Sequence, residues 1–186
     1  MELKTTKGLT IPTKHLRIEH DKMLISLKIL KKICETHEHI NDIEKILEYL
    51  NFIDKRHSQK EVTLIIYAMN ERQGENNPFA KLLEEHNENK KYLKELVSFV
   101  KKYPKPLMKF SALSASIQSY IEFITRHIEK ENTKFYPLAE KNIPQEKYPK
   151  ILNEFAVIDR ETETEDIKFF DEALDLLKTK YIQNYE

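Results

Sequence analysis

The sequence predicts an all-α protein: an up-down-up-down four-helix bundle with one or two further helices at its C-terminal end. Only 2 glycines and 7 prolines occur in 186 residues, too few punctuation residues for a protein built of many short strands and tight turns. Lys, Glu, Leu and Ile are abundant, a composition that favours long helices. Apolar residues recur at spacings of three and four along most of the chain, the period of a helix that buries one face.

The first helix is predicted over residues 13–34, with Thr13 as N-cap and a stripe of Leu16, His20, Met23, Leu24, Leu27, Leu30 and Cys34. The second runs over about residues 41–70, with Ile46, Leu50, Ile53, His57, Glu61, Leu64 and Ala68 on one face. A turn is expected at residues 74–77, and Asn77-Pro78 reads as an N-cap followed by proline at the first helical position. The third helix then carries Phe79, Leu82, Leu83, His86, Leu93, Val97 and Val100, until Tyr103-Pro104-Lys105-Pro106 interrupts it. The fourth, over residues 111–141, presents Leu113, Ile117, Tyr120, Ile124, His127, Glu131, Phe135 and Leu138. Long helices with short connections imply antiparallel neighbours. The bundle is assigned to residues 1–142 and a helical extension to residues 143–186. In the extension Ile151, Leu152, Phe155 and Ile158, then Ile167, Phe169, Phe170, Leu174 and Leu177, mark helices packed on the bundle or on a second subunit. The acidic, Thr-rich run over residues 161–166 reads as a solvated helix start.

The 31 basic residues balance 31 acidic ones, so net charge gives no reason to expect nucleic acid or an anionic membrane as partner. No apolar run approaches the roughly 18 residues of a membrane span, and the opening MELKTTKGLT lacks the apolar stretch of a secretory signal. A lone Cys34 rules out an internal disulfide and any sulfur-rich zinc or iron–sulfur site. A cytoplasmic location is the expectation.

Each predicted bundle helix carries a histidine in the middle of its apolar stripe: His20, His57, His86 and His127. Two are followed one turn later by a glutamate on the same face, Glu61 and Glu131. The chain repeats itself there. Residues 56–63 read R-H-S-Q-K-E-V-T and residues 126–133 read R-H-I-E-K-E-N-T, identical at five of eight positions. Glu19-His20 and Glu85-His86 form a weaker pair, each preceding one copy of the longer motif. An up-down bundle with this order has approximate two-fold symmetry.

A single histidine on an apolar face is usually an ordinary core residue, and a single His-x-x-x-Glu is usually a surface ion pair. The conjunction changes the balance. Burying an unpaired carboxylate costs several kcal/mol or more, and two of them among four imidazoles need cations. Two metal ions held by His20, His57, Glu61, His86, His127 and Glu131 supply that charge. Two bridging carboxylates can span the pair, with two imidazole nitrogens on each ion, an oxo or hydroxo bridge between them, and one position left open on each. Mixed nitrogen and oxygen ligands suit iron, with manganese and zinc as competitors. No residue is assigned a catalytic role of its own. Glu19 and Glu85 are candidates to orient the ligand histidines beside them as hydrogen-bond acceptors, with solvent exposure as the alternative. Tyr120 lies two turns before His127 and reads as a hydrogen-bond donor to a metal-bound oxygen species, as a radical sink, or as a plain core tyrosine. Lys60 and Lys130 recur with the motif and read as surface charge, His15 is expected to face solvent, and His37 and His39 fall in a polar turn.

At these residues the chain resembles the hemerythrin-like (HHE cation-binding) family, over about residues 13–141. The shared pattern is a histidine on helix one, His-x-x-x-Glu on helix two, Glu-His on helix three, and His-x-x-x-Glu followed by Tyr-Pro on helix four, here His127, Glu131 and Tyr136-Pro137. The resemblance implies a non-haem di-iron centre that meets oxygen, nitric oxide or peroxide, in proteins that carry oxygen, sense gas or iron, or repair iron–sulfur clusters. Many members have a second histidine where Arg56 stands, and such members can carry a proline where this chain has Tyr67. Oxygen carriers place a further histidine where this chain has Lys90. Four histidines and two glutamates resemble the repair-type members and leave a more open centre. The implied function is a di-iron protein that binds or reacts with O2, peroxide or NO, in sensing or in protection against oxidative or nitrosative stress. An iron store, donor or sensor without turnover is the alternative. A diatomic ligand or peroxide is the expected partner, and the appended helices are compatible with a homodimer.

Overall fold

The computed structural model describes residues 11–36, 40–70, 79–102, 110–161 and 164–182. Four long helices form the bundle: α1 (Pro12–Thr36), α2 (Ile40–Asn70), α3 (Ala80–Lys102) and α4 (Phe110–Lys130). A single π-helical turn (Glu131–Phe135) joins α4 to α5 (Tyr136–Asn142), and a 3-10 turn (Gln145–Lys147) leads into α6 (Tyr148–Glu161) and α7 (Thr164–Tyr181). No strand occurs among the described residues. The expected turns at residues 74–77 and 103–106, the Asn77-Pro78 cap, and His37 and His39 lie outside the described residues.

The apolar stripes bury in two clusters, one at each end of the bundle. One contains Met23, Leu27, Leu30, Leu50, Ile53, Leu93, Val100, Ile117 and Ile124, and the other contains Leu16, Leu64, Ala68, Phe79, Leu82, Tyr136 and Ala139. Along α1 and α3 the chain passes from the second cluster to the first, and along α2, and along α4 with its continuation into α5, it passes back. The four helices therefore alternate in direction, as their stripes predict. On every helix the ionisable residues fall between the clusters, so the fold is two apolar blocks with a polar layer between them.

The helical extension joins both blocks. Tyr148, Ile151 and Phe155 of α6 enter one cluster, and Leu174, Leu177 and Tyr181 of α7 enter the other. Polar ties fix α7 near its middle and at its C-terminal end. Lys22 Nζ donates to Asp171 at 2.7 and 2.8 Å, while Lys180 Nζ and Tyr181 Oη both donate to Asp42 Oδ2 at 2.7 Å. No described helix is long and apolar enough to cross a membrane.

Two expectations about helix ends are corrected. Helix α1 begins at Pro12, and the Ile11 carbonyl accepts the Lys14 N–H at 3.0 Å. Thr13 is thus inside the first turn, where its hydroxyl donates to Glu140 instead of capping the helix. The fourth helix is not one uninterrupted α-helix to residue 141, because the Tyr136 N–H donates to the Glu131 carbonyl five residues back. Pro137 explains why a break is tolerated here: it has no N–H, so some carbonyl one turn earlier lacks its helical donor whichever register the chain adopts. Arg17 supplies a substitute, donating from NH1 to the Asn132 carbonyl and to Asn132 Oδ1, both at 3.0 Å.

This substitution can be tested directly. Arg17→Ala leaves the Asn132 carbonyl without that donor and is expected to destabilise the protein by about 1–3 kcal/mol, measured by urea unfolding. Arg17→Lys, which lacks the planar fork, is expected to recover only part of the loss.

Candidate metal centre

The polar layer gathers all six residues proposed from sequence. His20, His57, Glu61 and Glu131 bring ligand atoms within 4.8 Å of one another, and His86, His127 and Glu131 form a second such group. All are buried. Glu131 belongs to both groups, its Oε2 lying 3.0 Å from His20 Nε2 and its Oε1 lying 2.8 Å from His127 Nε2 and 3.3 Å from His86 Nε2. Glu61 also faces both, with Oε1 at 3.5 Å from His57 Nε2 and Oε2 at 2.9 Å from His86 Nε2. Two carboxylates thus lie between two pairs of imidazoles, each pair drawn from neighbouring helices.

The far side of the rings decides which nitrogen faces inward. Nδ1 of His57 lies 2.9 Å from Glu19 Oε2, Nδ1 of His127 lies 2.9 Å from Glu85 Oε2, and Nδ1 of His20 lies 3.1 Å from Asn132 Oδ1. Ionised carboxylates accept only, and Asn132 Oδ1 is already an acceptor from Arg17, so each Nδ1 carries a proton and donates it. Nε2 is then the nitrogen whose lone pair is free for a cation.

Glu19 and Glu85 therefore act across helices. Each holds not the histidine next to it in sequence but the one on the adjoining helix. The two lysines of the repeat complete the arrangement, Lys60 Nζ lying 2.5 Å from Glu19 Oε1 and Lys130 Nζ 2.5 Å from Glu85 Oε1. The reading of Lys60 as surface charge is corrected: its side chain is 4% exposed, whereas that of Lys130 is 40% exposed. His15 is exposed.

Tyr120 lies in the apolar block, with its ring 5.8 Å from Tyr92. The hydroxyl that reaches the centre is that of Tyr136, which sequence reasoning noted only as part of the Tyr-Pro pair. Tyr136 Oη donates to Glu61 Oε1 at 2.7 Å and lies 3.2 Å from His20 Nε2 and 3.4 Å from His57 Nε2. Five residues beyond Glu131, it would sit about 140° off the site face in a regular α-helix. The π turn inserts the extra residue that rotates it inward. Ile66, five residues after Glu61 in the uninterrupted α2, shows the α-helical outcome, being 52% exposed against 1% for Tyr136. The signal available in sequence was Pro137.

The layer's electrostatics follow from burial and proximity. Burial favours the neutral form of Glu61, and Glu131 adds repulsion, yet the imidazoles of His57 and His86 hold Glu61 down at about 2. Glu131 is lowered well below the usual carboxylate range against the same burial, by the His127, His20 and His86 imidazoles that lie against it. Burial would depress His86, but Glu131 and Glu61 raise it to about 9. His57 and His127 are raised against burial as well, by Glu61 and Glu19 for the first and chiefly by Glu131 for the second. Without a bound cation, protons on His57, His86 and His127 balance the carboxylates of this layer.

A model of the Hemerythrin HHE cation binding domain matches residues 11–139. The chain belongs to the hemerythrin HHE cation-binding domain family. No curated protein and no solved structure matches it.

The donor set of this HHE domain fits the cations its family holds. Imidazole nitrogen with carboxylate oxygen suits first-row divalent and trivalent metals. Glu61 Oε2 and Glu131 Oε2 are buried without a hydrogen bond, although each lies at contact distance from an imidazole nitrogen. Oxygens so placed, aimed at ring nitrogens but misaligned for hydrogen bonds, are free to share a cation with those nitrogens. The residues present are thus suited to a buried metal site.

The charge assignment carries a pH dependence. A histidine raised from 6.5 to about 9 on folding stabilises the metal-free protein fully below pH 6.5 and loses that contribution as pH rises through 9. The melting temperature of metal-free protein is therefore expected to fall between pH 6.5 and 9. Metal-loaded protein, whose Nε2 atoms carry no proton, is expected to hold a level midpoint across that interval. Thermal melts monitored by circular dichroism check both.

Proposed function

We propose that this HHE domain holds a pair of non-haem iron ions, which bind or react with dioxygen, peroxide or nitric oxide in sensing or in protection against oxidative or nitrosative stress. His20 and His57 would serve one ion and His86 and His127 the other, with Glu61 and Glu131 shared between them. Bound iron supplies the redox and ligand-binding chemistry. The protein supplies nitrogen ligands of fixed tautomer and a water-poor setting.

The observation that carries the reading is the chamber beside Glu61 and Tyr136. It has a volume of about 10 Å³ and is walled by Leu64, Ile65, Phe79, Leu82, Phe135 and Ala139. A space of that size holds about one water-sized molecule, and an apolar wall favours an uncharged one. The Tyr136 side chain forms part of its wall, and the hydroxyl's proton is engaged with Glu61 Oε1 at 2.7 Å. Lys90, where the oxygen carriers of the family place a further histidine, is exposed. Six protein ligands on two ions leave coordination positions to spare, which supports reaction or sensing over reversible carriage.

The alternative, an iron store or donor, is favoured by a second feature. A groove of about 370 Å³ between α2, α3 and α6 has His86 in its lining and mixes polar side chains, among them Gln59, Asn87 and Lys90, with the apolar Val62, Leu83 and Ile158. The polar groups on that wall give a hydrated ion partners that the apolar chamber lacks.

One experiment separates the readings. Protein reconstituted anaerobically with ferrous iron and then exposed to air is expected to bind two irons per chain and to develop near-ultraviolet absorption of an oxidised pair. Glu131→Ala is expected to lose that absorption and at least one iron. Tyr136→Phe is expected to keep both irons while changing the rate at which the absorption develops. Iron passing rapidly to a chelator with no response to air would instead establish the storage reading.

A further inference from the structure

The two halves of the centre match up to a point and then diverge. In one half His57 pairs with Glu19 at 2.9 Å and Glu19 with Lys60 at 2.5 Å. In the other His127 pairs with Glu85 at 2.9 Å and Glu85 with Lys130 at 2.5 Å. The second chain ends there: Lys130 is 40% exposed, and among the described residues no other carboxylate pairs with it. The first continues into the helical extension. Asp159 Oδ1 on α6 lies 2.7 Å from Lys60 Nζ and 3.5 Å from Arg56 NH1. Arg126, the repeat counterpart of Arg56, is exposed and donates to the Glu122 carbonyl at 3.1 Å.

We propose that Asp159 is a positioning residue for one half of the metal centre, fixing Lys60, and through it Glu19 and His57, so that α6 sets how firmly the ion beside His20 and His57 is held. Its charge balance gives the reason. Arg56 and Lys60 are both buried, and Glu19 and Asp159 are the carboxylates paired with them. Without Asp159 two buried cations are left with Glu19, which is then drawn toward Lys60 and away from His57 Nδ1. A histidine whose Nδ1 partner is displaced loses both its orientation and part of its basicity toward a metal. The ion beside His86 and His127 has no such tie to the extension, so the two positions differ in lability although their ligands are related by the repeat.

The inference rests on the reading of the polar layer as a two-metal centre. The test uses the full chain loaded anaerobically with ferrous iron, with release to a chromogenic chelator as the readout. In Asp159→Asn one ion is expected to leave at least about 10-fold faster than in the wild type and the other within about 2-fold of its rate. Asp159→Glu should restore most of the retention. Lys130→Met should hasten release of the other ion. Asp171→Asn, which removes the α7 ion pair to Lys22, controls for general loosening of the extension and should leave both rates unchanged. The proposal is overturned if the two ions accelerate alike in Asp159→Asn, if neither does, or if Asp171→Asn has the same effect. A wild type that retains no iron defeats the metal reading and this inference together, whereas two retained irons whose release ignores Asp159 defeat this inference alone.

Discussion

Glu61 and Glu131 stand in a layer that water barely reaches, between two apolar blocks that have no means of solvating a charge. A carboxylate there is tolerable only if positive charge lies against it. The bundle provides it by bringing one imidazole from each of four helices to the same level, with protons or metal ions at Nε2. The register of all four helices follows from this. Sliding one helix by a turn would leave a carboxylate facing leucines and an imidazole facing empty space. The layer weakens the hydrophobic core where it interrupts it, but it also fixes which residues of the bundle meet. This is the registry role that buried polar groups are known to play in helical assemblies.

The outer partners extend the same logic. Glu19 and Glu85 fix the tautomers of His57 and His127, yet each brings another negative charge into a crowded interior. Glu19 stays ionised at about 2 against its own burial because His57 and Lys60 both face it. Lysine recurs three residues after each of these histidines for that reason: the position lies one turn along, on the flank that meets the neighbouring helix. Charge alternates outward from the centre, cation to carboxylate to imidazole to carboxylate to lysine.

Much of this was legible in the sequence, and what escaped did so for identifiable reasons. The six central residues were visible because helical spacing places them mid-stripe and because the chain repeats the motif; a repeated anomaly is hard to assign to chance. Glu19 and Glu85 were visible as candidates, but their true partners were not, because intrahelical spacing says nothing about which ring on the next helix a side chain will reach. Lys60 read as surface charge because nothing in a helical pattern announces that α6 will cover it. Tyr136 was missed because the 3.6-residue period excludes it. Only the change from an α to a π turn, which Pro137 permits and Arg17 supports, brings it to the centre.

The break in symmetry after the two His-x-x-x-Glu motifs gives the centre two unlike approaches. In α2 the helix runs on, Ile66 turns outward, and the neighbouring groove has His86 in a wall of mixed polar and apolar side chains. In α4 the π turn swings Tyr136 inward, closing the other side with a phenol and a small apolar chamber. A hydrated ion loses hydrogen bonds on entering the chamber and keeps them in the groove; an uncharged diatomic molecule has nothing to lose in the chamber and little to hold it in the groove. On the proposed function this sorts traffic by solvation alone. On that proposal metal exchange would use the groove and ligand binding the chamber, so that two copies of one motif would separate filling the centre from using it. The chamber depends on a single inserted residue, so the π turn joins the Asp159 tie as a feature that distinguishes the two halves.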